Sequence, residues 1–586
     1  MATLDFTRLG HMGIPMSSNM VKAGDTVRGF DRDPEALKRA KAGKKENVRM
    51  ESVRRKRNWQ LPHTALLIGV LVMTPAVNAE TTASHRRSGQ WRVAGHDLGN
   101  SRSQPAEHVI GSGNVKSLEP RWTFTTEGDV SATPTVGGNA VYFPDWGGNL
   151  VAVEKESGRL IWSHTIAEYN RVPGSVSRTS PALHGDHLII GDLQSSNRPH
   201  DGANVMSVHR RTGELQWITQ VDSHPAAIIT GSPVVFEGVV YVGVSSIEET
   251  LAADPAYPCC TFRGSMVALD EKSGEILWQT FTVPENGGEP GGYSGNAIWQ
   301  PPAIDPKRGA LFVGTGNSYT APAEVEACHD ADPLADCAAA DDFFDTALAL
   351  DLKTGAIKWA KRLQGLDVFN AACLLPTGPQ ANCPLPDSPD FDLGGSGPNL
   401  VGNIVGFGQK SGIYWALNAD NGNIVWSAAV GPGGLAGGIQ WGTATDGQRI
   451  YVAIANSQHM PYTLVPSGQT ITWGAWSALD VATGKILWQT ADPTPGTVDI
   501  GAVSVANGVV YAGSLAGQMY ALDARTGDIV WGFASGGSVI DGPSIVDGVV
   551  YWGSGYRKTR GGVGNNKVFA FAVNSEDEEQ DESDDD

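Results

Sequence analysis

The chain has 586 residues, of which 72 are glycine and 17 are tryptophan, and only 18% are charged. This composition is typical of many short strands joined by tight turns, and it argues against long helices. The formal net charge of −20 argues against nucleic acid or an anionic membrane as a partner. Residues 574–586 supply part of that charge, and we expect them to form an acidic, disordered tail.

The first 49 residues precede a second candidate start, Met50, and do not fit the rest of the chain. The stretch Leu9–Met16 resembles the start of a β-hydroxyacid dehydrogenase, in which a Gly-rich turn opens a dinucleotide-binding fold. Arg8 stands where that motif has its first glycine, and the segment ends before one βαβ unit is complete. We therefore expect no NAD binding, and we interpret residues 1–49 as a vestigial or spurious extension.

Residues 50–79 have the order of a secretory signal peptide. The basic run Arg54–Arg57 precedes the apolar run Ala65–Met73, and small residues lie before Glu80 at the positions that a signal peptidase reads. The apolar run is too short to span a bilayer comfortably. We therefore predict cleavage near Ala79, a mature chain without a membrane span, and a periplasmic or secreted location.

A repeat runs through the mature chain, residues 80–573. It reads small-x-Pro, a Val-rich strand ending in Tyr-x-Gly, then Ala-Leu-Asp, Thr-Gly, and a tryptophan four residues after that glycine. We expect the glycine to supply a positive φ in a hairpin, and the tryptophan to pack against the neighbouring repeat. The pairs are Gly158/Trp162, Gly213/Trp217, Gly274/Trp278, Gly355/Trp359, Gly422/Trp426, Gly484/Trp488 and Gly527/Trp531.

An eighth copy, from Gly542 to Phe571, lacks its last strand, and Leu118–Trp122 offers a lone outer strand near the start of the mature chain. Adding that strand to the last repeat closes a ring and removes exposed sheet edges. The sequence therefore predicts an all-β fold, an eight-bladed β-propeller of four-stranded antiparallel blades closed by an N-terminal strand.

The longest insertions fall in the B–C and D–A loops of the predicted blades, which lie on one face of a propeller. They are residues 245–263, 317–344, 363–397 and 455–474. The six cysteines are an even number in a chain predicted to be exported, so we expect disulfides. We predict the pairs Cys328/Cys337 and Cys373/Cys383 in the two longest loops.

The tryptophan-bearing repeats resemble those of pyrroloquinoline quinone (PQQ)-dependent alcohol dehydrogenases over nearly all of residues 90–573. The resemblance implies a set of residues that contact the cofactor. Trp299, in Trp-Gln-Pro-Pro, is similar to the tryptophan that stacks beneath the quinone, and Arg178 is similar to the arginine that pairs with a quinone carboxylate. Thr230, Ser245 and Trp441 resemble further contacts around the same ring system.

That family also places a vicinal disulfide against the quinone. In this chain Cys259 and Cys260 lie in a later B–C loop than in the family, but on the same predicted face. The resemblance therefore implies a disulfide between Cys259 and Cys260, and it includes both residues among the expected cofactor contacts.

The resemblance also implies a calcium site. Asn317, in Gly-Thr-Gly-Asn, is similar to the asparagine whose side-chain oxygen binds calcium, and either Glu248 or the adjacent Glu249 is similar to the carboxylate ligand. Calcium prefers such hard oxygen ligands, and as a Lewis acid it polarises a quinone carbonyl.

The segment Pro389–Asp392 resembles the catalytic aspartate segment of the family. It implies Asp390, or alternatively Asp392, as the general base that removes the alcohol proton. Lys410 is similar to the basic residue that hydrogen-bonds the reactive carbonyls, where the reduced quinone becomes anionic.

The sequence contains no Cys-x-x-Cys-His motif, so we expect no c-type haem and an external electron acceptor such as a cytochrome c or a quinone. The run Tyr142–Trp146, the displaced cysteine pair and the long loops resemble polyvinyl-alcohol dehydrogenases. The implied substrate is an alcohol, such as a secondary alcohol or polyvinyl alcohol. The alternative is a non-catalytic envelope propeller that recruits partners through its loops, because assembly propellers share the repeat.

Overall fold

The computed structural model describes residues 3–7, 26–30, 89–194, 202–375, 382–385 and 388–573. The chain divides into an N-terminal unit that ends at Ser88 and a second unit from Gly89 onward. In the first unit, strands Thr3–Thr7 and Thr26–Phe30 pair in parallel. The predicted signal peptide and the predicted acidic tail lie outside the described residues.

The second unit is an eight-bladed β-propeller, as the repeat predicted. Each blade has four antiparallel strands, A to D. Blade 1 consists of Thr135–Gly137, Ala140–Pro144, Asn149–Glu154 and Leu160–Thr165, and blade 2 of Ala182–His184, His187–Gly191, Ala203–His209 and Leu215–Asp222. Blade 3 consists of Val234–Phe236, Val239–Ser246, Ser265–Asp270 and Ile276–Phe281, and blade 4 of Ala303–Asp305, Ala310–Gly314, Thr346–Asp351 and Ile357–Arg362.

Blades 5 to 8 continue the pattern. Blade 5 consists of Asn399–Val401, Ile404–Gly408, Ile413–Asn418 and Ile424–Ala429, and blade 6 of Ala444–Thr445, Arg449–Ile454, Ala475–Asp480 and Ile486–Ala491. Blade 7 consists of Val503–Ala506, Val509–Gly513, Gln518–Asp523 and Ile529–Ala534, and blade 8 of Ser544–Val546, Val549–Ser554, Lys567–Val573 and Leu118–Thr125. Two short strands extend these sheets: Ala227–Ile228 pairs with strand B of blade 3, and Ser103–Gln104 pairs in parallel with strand A of blade 7.

The N-terminal strand closes the ring, as predicted. Leu118–Thr125 pairs antiparallel with Lys567–Val573 and becomes strand D of blade 8. Blade 7 also contacts this strand: the indole N–H of Trp531 donates to the carbonyl of Leu118 over 2.9 Å. The last and first parts of the propeller are therefore joined by backbone pairing, which leaves no open edge at that blade.

Tryptophans on the D strands link each blade to the next. Each indole N–H donates to a backbone carbonyl of the following blade over 2.8–3.1 Å; the donors are Trp122, Trp162, Trp217, Trp278, Trp359, Trp426, Trp488 and Trp531. The repeat glycine lies against the tryptophan of the preceding blade. Gly355 has φ of +70°, and a Cβ there would lie 2.5 Å from the Trp278 ring. Glycine is needed both for its backbone angle and for this close approach.

The connections on one face carry most of the irregular structure. They include helices α1 (Ile166–Asn170), α2 (Glu248–Leu251) and α3 (Ala323–Ala331) and the 3₁₀ turn Ala371–Leu374; a second 3₁₀ turn, Val115–Ser117, precedes the closing strand. Three small antiparallel pairs join Ser175–Val176 to Leu193–Gln194, Ser294–Gly295 to Ser318–Thr320, and Tyr462–Thr463 to Thr470–Ile471. No helix among the described residues is long and apolar enough to cross a membrane.

All three predicted disulfides are present. Cys328–Cys337 and Cys373–Cys383 each close a short loop, with S–S distances of 2.04 and 2.08 Å, and Cys259 is bonded to Cys260. The two longest insertions are therefore each cross-linked within themselves, which restricts the conformations open to the unfolded chain.

Candidate active site

A cavity of about 310 Å³ lies among the B–C and D–A loops on the face that carries the insertions. Seven residues predicted from the sequence line it: Arg178, Thr230, Ser245, Trp299, Asn317, Lys410 and Trp441. Glu249 and Asp392, the two alternative assignments, also lie on its wall, whereas Glu248, Asp390, Cys259 and Cys260 do not. The propeller thus brings together side chains that are up to 263 positions apart in the sequence.

The charged centre of the site is the ammonium group of Lys410. Its Nζ lies 2.9 Å from Oδ1 of Asp390 and 2.5 Å from Oδ2 of Asp392, and all three side chains are buried. Burial by itself lowers the pKa of Lys410, but the two carboxylates raise it well above its usual value. Lys410 therefore stays cationic beside the cavity.

The two aspartates differ in their surroundings. Asp392 lies on the cavity wall, and its Oδ1 accepts the backbone N–H of Asn317 over 2.7 Å. Asp390 lies behind it with a left-handed φ of +54°, which is uncommon for a non-glycine residue. Burial raises the pKa of Asp390 well above its usual value, while Lys410 acts to lower it. The geometry keeps both residues as candidates for the base.

Aromatic rings and a guanidinium form another part of the wall. The Trp299 and Trp441 rings meet edge to face, with centroids 5.2 Å apart. The Arg178 guanidinium stacks 3.9 Å from the Trp441 ring, and Lys410 Nζ lies 5.7 Å from the Trp299 ring. The buried Nε1 of Trp441 donates to no described residue. A flat, anionic, aromatic ligand could stack on these rings, pair with the two cations and accept a hydrogen bond from the Trp441 N–H.

The side-chain amide of Asn317 is held by its nitrogen, so its oxygen is the end that can bind a ligand. The amide Nδ2 donates to the carbonyls of Ser318 and Phe369, both over 2.8 Å, and this orients the group. The residue is buried on the cavity wall. Within the described ranges, no three His, Cys, Asp or Glu side chains gather as a metal cluster.

The adjacent glutamates at the start of α2 point to different places. Glu248 is fully buried, and its carboxylate accepts the backbone N–H groups of Thr261 and Phe262 over 2.9 and 2.8 Å, and the Tyr257 hydroxyl over 3.0 Å. Glu249 lies on the cavity wall, where burial raises its pKa to about 7. The structure therefore places Glu249, the alternative, on the same wall as Asn317, and it gives Glu248 a role in holding the 259–263 loop.

The vicinal disulfide lies behind the wall. Cys259 and Cys260 are buried in one apolar cluster with Tyr319, and Tyr319 itself lines the cavity. The side-chain amide of Asn370 approaches Cys259 Sγ at 3.9 Å. The structure thus does not bring the two cysteines to the cavity surface, although it places them in the layer beneath it.

Two buried carboxyl groups near Asp390 were missed from the sequence. Asp367 accepts hydrogen bonds from the Asp390 loop, and the backbone N–H of the fully buried Asp345 donates to the carbonyl of Gly316. Asp345 directly precedes a strand and Asp367 lies in a long loop, like many other aspartates of this chain, so no pattern in a single sequence distinguishes them. Tyr319 was also missed, although it follows Asn317 by only two residues.

Comparisons with known proteins concern the fold and the family of the chain. Residues 91–373 match the family model described as the glucose/ethanol/alcohol dehydrogenase β-propeller domain. Residues 474–575 match the model for the outer membrane protein assembly factor BamB, and residues 4–78 match the NAD binding domain of 6-phosphogluconate dehydrogenase. The last match covers the predicted extension and most of the predicted signal peptide, so the boundary between them stays a prediction.

Polyvinylalcohol dehydrogenases are among the relatives. One from a Pseudomonas species is 30% identical over 534 residues, which are 83% of this chain and 77% of the relative. Another, from Sphingopyxis sp. strain 113P3, is 30% identical over 551 residues, covering 85% and 78%. The crystal structure of quinohemoprotein alcohol dehydrogenase from Comamonas testosteroni has the same fold, with a TM-score of 0.62 at 20% identity over 84% of this chain and 81% of that one.

The propeller and these relatives define the class of protein: the chain belongs to the PQQ-dependent alcohol dehydrogenases, as the resemblance predicted. It is therefore an enzyme, a quinoprotein that oxidises an alcohol. This membership does not support the alternative of a non-catalytic scaffold.

Proposed function

We propose that this enzyme oxidises secondary alcohols, including polyvinyl alcohol, with PQQ and calcium, and passes the electrons to a separate acceptor. The observation that carries the proposal is Lys410 between two buried carboxylates on a cavity whose wall also bears Trp299 and Arg178. The names of the 30%-identical relatives support the polymer as a substrate.

The cavity residues would hold PQQ by its flat ring and its carboxylates. Trp299 offers a ring face, and Arg178 can pair with a carboxylate. Thr230 and Ser245 place hydroxyl groups on the same wall. Lys410 would donate to the quinone oxygens, where its charge stabilises the negative charge of the reduced ring. Bound PQQ supplies the electrophilic carbonyl group that accepts a hydride.

Glu249 and the amide oxygen of Asn317 would hold the calcium ion. Both are hard oxygen donors on one wall, and calcium completes its shell with further oxygens. When bound there, calcium supplies Lewis acidity toward the quinone. The orientation of the Asn317 amide, which uses both N–H groups on carbonyls, supports this assignment.

Asp390 would accept the hydroxyl proton of the alcohol. Burial raises the pKa of this carboxyl group well above its usual value, which makes its ionised form a strong proton acceptor, and the positive charge of Lys410, 2.9 Å away, acts against that rise. The proton would be held on a carboxylate oxygen next to the ammonium group. Asp392 remains the alternative, because it contacts the same ammonium and lies on the cavity wall.

Reconstitution with cofactors tests the proposal. The mature protein is incubated with PQQ, calcium, or both, and reduction of a small dye is followed with primary alcohols, secondary alcohols, diols and polyvinyl alcohol. We expect reduction only with both additions, and faster turnover with secondary alcohols and the polymer than with methanol. Activity without calcium, or with primary alcohols alone, would contradict the proposal.

We also propose export of the enzyme after cleavage following Ala79. The three disulfides support this, because disulfides persist mainly in oxidising compartments. N-terminal sequencing of the protein recovered outside the cytoplasm should begin at Glu80. Finding any of residues 1–49 on that protein would refute the predicted start and cleavage site.

A further inference from the structure

The two residues that would hold calcium lie on segments from different blades. Glu249 lies in α2, which follows strand B of blade 3, and Asn317 follows strand B of blade 4. Both side chains line one cavity. Calcium ligands lie about 2.3–2.6 Å from the ion, so a cation bound by both residues requires the two segments to keep a fixed separation.

Asn370 joins the Asn317 segment to a second loop. Its side chain is fully buried, and its Nδ2 donates to the carbonyl of Tyr319 over 3.0 Å and to the carbonyl of Asn382 over 2.7 Å. Its Oδ1 accepts the backbone N–H of Ala372 over 3.0 Å, which fixes the orientation of the amide. The Asn370 amide therefore holds Tyr319, two residues after Asn317, against Asn382.

Asn382 makes the corresponding contact to the α2 segment. Its Nδ2 lies 3.1 Å from each of three backbone carbonyl oxygens, those of Ala252, Asp254 and Tyr257. The turn formed by residues 252–257 directly follows α2, and the carbonyl groups at a helix end need donors from outside the helix. The two asparagines thus form a continuous hydrogen-bonded bridge from the turn after α2 to Tyr319.

The Cys373–Cys383 disulfide holds the two asparagines together. Asn370 lies three residues before Cys373, and Asn382 directly precedes Cys383. The covalent bond keeps the two ends of the loop close to each other, so the bridge does not have to restrain a loop that is free at one end.

We propose that Asn370 and Asn382 are positioning residues for calcium: with the Cys373–Cys383 disulfide, they form a bridge that fixes α2 relative to the Asn317 segment. The proposal rests on the proposed calcium site. Neither asparagine lines the cavity, so the bridge acts through the backbone of residues 252–257 and of Tyr319. Loss of the bridge should weaken calcium binding without removing a ligand.

Three variants test the bridge. Asn382→Ala removes the amide from a half-buried position, so we expect the fold to survive. Cys373→Ser/Cys383→Ser opens the loop that carries Asn382. Cys328→Ser/Cys337→Ser is the matched control, because it opens a loop of nearly the same length, with a sequence separation of 9 against 10.

Each variant is measured in three ways. Equilibrium dialysis in the presence of PQQ gives the calcium Kd, dye reduction at saturating calcium gives kcat, and hydrogen exchange in the apoprotein follows a peptide covering residues 248–258. For Asn382→Ala and for Cys373→Ser/Cys383→Ser, we expect the Kd to rise about tenfold or more, which is the usual effect of losing a group that orients metal ligands, and exchange to be faster. Saturating calcium should restore the wild-type kcat, and the control should keep the wild-type Kd.

A combined variant tests whether the disulfide acts through Asn382. Residues in one hydrogen-bond network do not have additive effects, so Cys373→Ser/Cys383→Ser/Asn382→Ala should bind calcium about as weakly as Cys373→Ser/Cys383→Ser. Multiplication of the two increases in Kd would show that the disulfide acts independently of the bridge, and would overturn its proposed role.

An unchanged Kd in Asn382→Ala would overturn the proposal, and so would an equal rise in Kd in the two disulfide variants. Wild-type calcium affinity in Glu249→Gln would refute the ligand assignment and with it the role of the bridge in calcium binding. Exchange in the apoprotein does not depend on calcium. Faster exchange in Asn382→Ala would therefore still show that the bridge holds residues 252–257.

Discussion

Replacing Asp390 with asparagine should lower kcat by about a hundredfold or more, the usual contribution of a general base. The alcohol can lose hydride readily only if its hydroxyl proton is accepted in the same step. The Asp390 carboxylate, 2.9 Å from Lys410, is the group proposed to accept it. Asparagine preserves the shape of the side chain but has no basic oxygen.

Quinone binding should change little in this variant, because Trp299, Arg178 and Lys410 remain in place. Quinone content per chain, measured with kcat on the same sample, checks this. In the paired variant Asp392→Asn, we expect a higher calcium requirement, because Asp392 accepts the N–H of Asn317. Full activity in Asp390→Asn with loss in Asp392→Asn would move the base to Asp392, and full activity in both would refute the assignment of this loop.

The second large effect is expected at Glu249. Glu249→Gln removes the proposed anionic calcium ligand, and we expect calcium affinity to fall by at least about 10–100-fold, since changes even beyond the direct ligands have effects of that size. The fold should survive, because Glu249 lies on a cavity wall. A calcium titration of dye reduction, together with thermal unfolding, measures both properties.

Glu248→Gln is the matched control. Its carboxylate holds the backbone N–H groups of Thr261 and Phe262, and a glutamine would leave one buried donor without its acceptor. We expect the free energy of unfolding to fall by about 1–3 kcal/mol, with the calcium requirement unchanged. The reverse result, calcium dependence lost only in Glu248→Gln, would return the ligand role to Glu248.

The propeller could be predicted from the sequence because the motifs that define its strands and turns are short and recur in every repeat. The spacing from Gly355 to Trp359, repeated in six other pairs, defines a hairpin and a D strand within five residues. The missing strand of the last copy and the lone strand at Leu118 then indicate closure. Alternation and turn chemistry act over short distances, so a single sequence is enough to identify them.

The direction of individual side chains was decided only by the tertiary structure. Glu248 and Glu249 are neighbours at the start of a helix, where successive side chains point about 100° apart, and only packing determines which one faces the cavity. Cys259 and Cys260 do not line the cavity, whereas Tyr319, which belongs to the same apolar cluster, does.

Asp367 shows this limit most clearly. In the sequence it looks like an ordinary loop aspartate, but in the structure it is fully buried and accepts the backbone N–H groups of Asp390 and Phe391. The sequence by itself determined the repeat, the ring and most residues of the cavity, because these depend on local pattern and family motif. Only the packed structure decided which carboxyl groups lie on the cavity wall and which are buried behind it, because that depends on neighbours from distant segments.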